Sequence, residues 1–399
     1  MTVPTERALH EAIQVAPLDL PDDVKRQKIE NLLAQMRLSG ATARKIQNVF
    51  LSEMNKGIHQ QDSSLQMENT YIPELPDGTG FTFSFPMIQH SLDVGILVTW
   101  TKSFNCPDVV GKDCVALLEE ALERRGDTRV KVVAVLNDTT GTLLQGATQD
   151  PCTAIGLILG TGSNACYLER ADKVEHWEPE RHGEREVIID IEWGAFGDNG
   201  VLDFIKTDFD RQNDANSLLV SSFTFEKYIS GKYLGEVVRC ILVNLSTDGL
   251  LFTRETPESL LIPGSFLTDY ISLIEQDTVD GGSENAKEVL SKFDITPDED
   301  DLKIIQYVCA VASNRAALLV SICVATLLDH MKREEVTIAV DGSLYKHHPR
   351  LESWMNQYIN LLAPARKFKL IHAQDGSGKG AAIVAAIALR LKKRLESTK

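Results

Sequence analysis

The seven cysteines of this 399-residue chain, at positions 106, 114, 152, 166, 240, 309 and 323, contain no CxxC pair and no metal-ligand spacing. That excludes a disulfide framework and a thiolate metal centre, and it predicts free, mostly buried thiols in a reduced compartment. Positive charge is also in short supply: 41 Lys and Arg stand against 57 Asp and Glu, a formal net charge of −16. Such a surface repels polyphosphate backbones, so nucleic acid is not an expected partner, whereas a small anion gripped locally by a glycine turn is compatible with it. Long apolar runs are missing as well. The longest, residues 316–328, is too short and too broken by Ser, Cys and Thr to span a bilayer, and residues 1–16 carry no apolar stretch of leader type. No transmembrane segment is expected, and a cytoplasmic location is. The basic cluster Arg390, Lys392, Lys393 and Arg394 reads first as cations at a helix C-terminus, with weak association with a mitochondrial surface as the secondary expectation.

What is present is ample apolar content, 43%, in a chain longer than one core usually organises, so two domains are expected. Residues 22–57 carry Ile29, Leu32, Leu33 and Met36 at helical spacing. Residues 60–80 are polar and rich in Pro and Gly, and alternation then begins at Phe81. Strands are predicted at 130–136 and 187–191, a hairpin at 155–168, and helices through 226–245 and 301–330, with the acidic run 296–301 as cap and dipole-matched first turn of the last. Strands at 336–340 and 368–373 follow, and the order is that of an α/β chain.

The chemistry sits at strand ends. One apolar strand runs into Gly160, Thr161, Gly162, Ser163 and Asn164, a turn able to aim backbone N–H groups at a phosphate. Another ends on Asn137 and Asp138, placing a carboxylate at a strand's C-terminal lip. The turn Gly376, Ser377, Gly378, Lys379, Gly380 lacks P-loop spacing and reads as a tight start to a helix.

Together with residues 81–86, Thr99, Trp100, Thr101 and Lys102, the run from Glu192 to Asp198 and the run from Asp341 to Lys346, these motifs resemble the hexokinase family of eukaryotic hexokinases and glucokinases over about residues 20–395. The resemblance implies a two-lobed actin-like, ribonuclease H-like ATPase fold and ATP-dependent phosphorylation of glucose or a related hexose at its 6-hydroxyl, for glycolysis. By the same resemblance Asp138 is the general base and Lys102 assists catalysis. The sugar contacts are Ser84, Thr101, Lys102, Asn137, Asp138, Asn164, Glu192 and Glu226. Gly160, Thr161, Gly162 and Lys232 hold phosphate, Asp341, Gly342 and Ser343 face the adenosine, and Mg²⁺ travels on the ATP. The implied layout is an N-terminal helical part of the large lobe (1–63), a small lobe (64–137), the rest of the large lobe (138–374) and a C-terminal helix returning to the small lobe (375–399).

One departure stands out. Hexokinases carry several tens of residues between the counterparts of Thr79 and Gly80, including the first phosphate loop, Asp-Leu-Gly-Gly-Thr-Asn-Phe-Arg, and this chain has no such segment. The expected small lobe is therefore truncated at a joint between 79 and 80, with an exposed sheet edge beside residues 81–85. The alternative to an active transferase is accordingly a catalytically impaired hexose-binding or regulatory form. Asp77, Gly78, Thr79 and Gly80 make a poor substitute loop, because prolines and no strand precede them.

Overall fold

The computed structural model describes residues 9, 11–59, 61–70, 79–101, 104–126, 131–174, 185–252 and 256–396. At its centre is a six-stranded sheet made of β1 (Glu68–Thr70), β6 (Thr153–Leu159), β7 (Ser163–Arg170), β8 (Glu186–Asp190), β9 (Glu335–Asp341) and β10 (Lys367–His372), in the order β1-β8-β7-β6-β9-β10. β6 and β7 form the expected antiparallel hairpin, with Leu159 opposite Ser163. β9 runs parallel to both β6 and β10, so the carboxyl ends of three strands share one edge of the sheet. Open α/β sheets bind ligands at such an edge.

The segment assigned by sequence to the small lobe divides. β1 joins the edge of the central sheet beside β8. The remaining described residues form two separate two-stranded sheets: β2 (Thr79–Thr82) parallel to β5 (Val132–Leu136), and β3 (Met87–Ser91) antiparallel to β4 (Val94–Leu97). Thr79 and Gly80 belong to β2, so they form strand and not a loop, and a Cβ on Gly80 would lie 2.1 Å from the carbonyl oxygen of Ala381. Residues 71–78 lie outside the described residues.

Helix boundaries follow local chemistry. Residues 22–57 fold as two helices, Asp23–Leu33 and Gly40–Ile58, because the Ser39 hydroxyl accepts the Thr42 N–H at 3.0 Å and starts a second helix. Residues 226–245 likewise split into Thr224–Ile229 and Leu234–Thr247. The long helix Glu299–Met331 opens on a capping box between Asp298 and Asp301. It is long and apolar enough to cross a membrane by length and composition, yet its apolar window is wholly buried inside the protein. The apolar run at 316–328 is core. All seven cysteines are unpaired, and five are buried.

The C-terminal helix Gly376–Glu396 ties the parts together. The Thr82 hydroxyl donates to the Ser377 carbonyl at 3.0 Å, and Ala381 and Val384 share a core with Leu92, Ala134 and Leu136. The same helix crosses Asp138–Gln149 at backbone contact: a Cβ on Gly380 would meet the Gly141 Cα and carbonyl oxygen at 2.2 Å.

Candidate active site

β5 is buried along its whole length and delivers Asn137 and Asp138 to the same place as the β6–β7 turn. Asn137 is the N-cap of the Asp138–Gln149 helix: its Oδ1 accepts the Thr139 N–H and the Thr139 hydroxyl, each at 2.9 Å. Asp138 is the first helical residue, where the helix dipole favours a carboxylate. These side chains line a cavity of about 210 Å³ together with Ser84, Thr101, Thr161, Gly162, Asn164, Glu192 and Glu226. The structure therefore gathers every sequence-predicted sugar residue around one cavity, apart from Lys102, which lies outside the described residues.

The amides and carboxylates are tied to each other. Asn137 Nδ2 donates to Glu192 Oε1 at 2.9 Å, and Asn164 Nδ2 donates to the same oxygen at 3.0 Å. Glu192 sits in left-handed backbone, φ 50°, at the head of a short turn over Trp193, Gly194 and Ala195. An edge-on cluster of Phe50, Trp193, Phe196 and Phe225 fills the space beneath it. Glu226, which in isolation reads as a helix-surface residue, is buried, and its Oε2 accepts the Ser163 N–H at 3.0 Å. Asp198 holds the start of the Glu226 helix by accepting the N–H groups of Phe223 and Thr224 at 2.9 and 2.8 Å.

On the far side of the hairpin turn, the break between the two helices at 224–247 has a role. The N–H groups of Gly231 and Lys232 donate to the carbonyls of Gly160 and Thr161 at 2.8 and 2.9 Å, and the Gly160 N–H closes the turn onto the Gly162 carbonyl at 3.0 Å. The Lys232 side chain is exposed beside that turn. Asp341 closes the third corner, accepting from Gly342 N–H at 2.8 Å and from Gly376 N–H at 2.7 Å. Gly342 has φ 120°, and a Cβ there would collide with the Leu159 carbonyl at 2.3 Å, so the two turns pack backbone to backbone. A shallow, backbone-lined cradle of this kind suits phosphate and nucleotide. Gly376 opens the C-terminal helix, the tight helix start the sequence implied, and Gly380 adds a backbone contact with Gly141 that it did not.

Several supporting residues had no sequence signal. Asp190 accepts from Asn164 Nδ2 and the Thr139 hydroxyl. Glu53, buried on the Gly40–Ile58 helix, accepts from Ser64 N–H and Asn199 Nδ2, both at 2.8 Å, while the Ser64 hydroxyl receives the Gly197 N–H. Burial alone would raise the Glu53 carboxyl, but the hydrogen bonds from Lys56, Ser64 and Asn199 outweigh it and hold it below the usual range. These pairings join residues far apart in sequence, which spacing cannot reveal.

Comparison with known proteins agrees with this geometry. Two hexokinase family models match, one over residues 154–387 and the other in two pieces, 28–79 and 78–148, that meet at the joint described above. The chain is 43% identical over 331 residues to Hexokinase-1 of Homo sapiens, covering 82% of this chain and 35% of that protein. It is 41% identical over 346 residues to Hexokinase-2 of Rattus norvegicus, covering 84% and 37%. The chain thus spans about a third of the length of these relatives. Among solved structures, a hexokinase from Schistosoma mansoni complexed with glucose superposes with a TM-score of 0.85 at 32% identity, covering 92% of this chain and all of the other. The fold is the mixed α/β fold of that hexokinase, and the chain belongs to the hexokinase family.

Proposed function

We propose that this chain binds glucose or a related hexose and acts as a hexokinase-type ATP:D-hexose 6-phosphotransferase, with Asp138 as general base. The observation that carries the reading is the cavity itself, where three carboxylates, two carboxamides and four hydroxyls converge at a glycine turn. That acceptor-rich lining fits the many O–H donors of a neutral sugar and disfavours an anion, which the neighbouring backbone cradle suits instead. In this reading Asp138 takes the proton of the 6-hydroxyl as its oxygen bonds to the γ-phosphorus of ATP, and the bond to the β-phosphate oxygen breaks, releasing ADP. Glu192, Glu226, Asn137 and Asn164 orient the sugar, with Ser84, Thr101 and Lys102 on the small-lobe side. The turn at Gly160, Thr161 and Gly162, with Lys232, holds the phosphates, and Asp341, Gly342 and Ser343 face the adenosine. In this reading Mg²⁺ travels on the phosphates of the bound ATP. In this reading the protein works in the cytosol, at the entrance to glycolysis.

A second reading, a sugar-binding form with impaired transfer, is favoured by one observation: the small-lobe sheet next to the cavity has just two strands, β2 and β5, among the described residues. Loss of one transition-state donor typically lowers the rate by about 10²–10³-fold, and a missing phosphate loop removes more than one. A coupled hexose-6-phosphate assay, run with a glucose thermal-shift titration, separates the readings. Turnover abolished by Asp138→Ala supports the transferase. Glucose stabilisation of about 2.7 kcal/mol at one hundred times the dissociation constant without turnover supports the binding form. Neither signal would overturn both.

A further inference from the structure

Asn164 lines the cavity, yet its polar atoms are already engaged within the protein. Its Nδ2 donates to Glu192 Oε1 at 3.0 Å and to Asp190 Oδ1 at 2.8 Å, which uses both amide hydrogens, and its Oδ1 accepts the Ala165 N–H at 2.6 Å. Asn137 is oriented by Thr139, whose N–H its Oδ1 accepts at 2.9 Å. Its Oδ1 receives the Thr139 hydroxyl at 2.9 Å, and that hydroxyl also lies 3.2 Å from Asp190 Oδ1. The Thr139 hydroxyl has one hydrogen to share between these acceptors, so of the two amides that converge on Glu192 the buried Asp190 carboxylate fixes the orientation of Asn164. Asp190 is 4% exposed, sits at the end of β8 and does not line the cavity.

We infer that Asp190 is a positioning residue for the hexose half of the site, setting the amide orientation of Asn164 so that Glu192 meets the sugar with one oxygen already loaded by two N–H donors. The inference rests on the hexose reading above and extends it to a residue that touches no ligand. An amide is nearly symmetric in shape, and an unanchored Asn164 flips its oxygen toward Glu192, replacing attraction by repulsion between two acceptors. Asp190 removes that alternative, because only the Nδ2 orientation can satisfy two carboxylates at once. Its charge has a further consequence: a buried carboxylate with charge-assisted donors holds them more firmly than a neutral acceptor does.

The test compares glucose binding, read by thermal-shift titration, in the unaltered full chain, Asp190→Asn and Asp190→Ala, with ATP titrated in parallel. Asparagine keeps an acceptor oxygen at the same place and is expected to bind glucose within roughly fivefold of the unaltered chain, whereas alanine is expected to weaken glucose by roughly tenfold or more. ATP binding is expected to stay within roughly twofold in both, since Asp190 lies outside the nucleotide corner. Equal glucose affinity in all three chains would overturn the inference, as would parallel loss of glucose and ATP binding in Asp190→Ala, which marks a merely structural role. If Asp190→Ala does not fold, Asn164→Leu, which removes the amide that Asp190 orients, must reproduce the glucose-specific loss, and an unchanged affinity there would overturn the inference. Absence of hexose stabilisation in the unaltered chain would instead sink the hexose reading, and this inference with it.

Discussion

At the scale of single residues, the site is held by carboxylates that face protein N–H groups more than solvent. Asp198 is an example that makes a prediction. Replacing it with Ala leaves the Phe223 and Thr224 N–H groups without their acceptor and is expected to lower stability by about 0.5–2 kcal/mol, as loss of a helix cap does. Glucose affinity should fall with it, because Glu226 rides on that turn; urea midpoints measured with and without glucose check both. Glu169 makes a different one. Burial would raise its carboxyl, but His330, the Arg170 N–H and Lys173 overcome that and bring it down to about 2. A carboxyl lowered in the folded state adds stability that is complete above its unfolded value, near 4.5, and is lost as pH falls toward 2. Glu169→Gln should therefore be less stable than the unaltered chain at pH 6, and the gap in urea midpoint should narrow by pH 4.

At the scale of elements, what the sequence disclosed was local. β5 running into Asn137 and Asp138, the β6–β7 hairpin around Gly160, and β9 running into Asp341 are each an apolar strand followed at once by a polar turn, and neighbours in sequence suffice to show that. The breaks at Ser39 and at 230–233 were not visible in hydrophobic period, because apolar spacing continues across them while a hydroxyl cap and two tertiary hydrogen bonds interrupt the backbone. Asp190 and Glu53 were invisible for a related reason: their partners are 51 and 146 residues away for Thr139 and Asn199. Packing between elements yields its own prediction. Gly380→Val forces a side chain into the Gly141 backbone where even a Cβ has no room, so the helices must separate. A loss of at least ~1–3 kcal/mol is expected, measurable as a drop in melting temperature, whereas Gly282→Ala, in open space and without a positive φ, should lose less.

At the scale of the whole molecule, the proposed hexose contacts draw on two parts of the fold, while the proposed phosphate turn lies on the central sheet, between β6 and β7. Glu192, Glu226 and Asn164 are anchored by the six-stranded sheet and the helices on it, Asn137 by the end of β5 in the two-stranded sheet, and Ser84 and Thr101 flank β3 and β4. Inserting a family-type strand-and-loop segment at Thr79 is expected to raise transfer by roughly 10²-fold or more while moving glucose affinity little. It should also reduce self-association on size-exclusion chromatography, by covering an edge of β2. The crossing of Gly141 over Gly380 gives this arrangement a mechanical character. Two backbones in direct contact have no side chain between them to act as a cushion, and one of them begins at Asp138 while the other lies on β2. Any side chain added at that crossing must push the helix that begins at Asp138 away from the helix that packs on β2, so tuning by substitution is closed at the crossing itself.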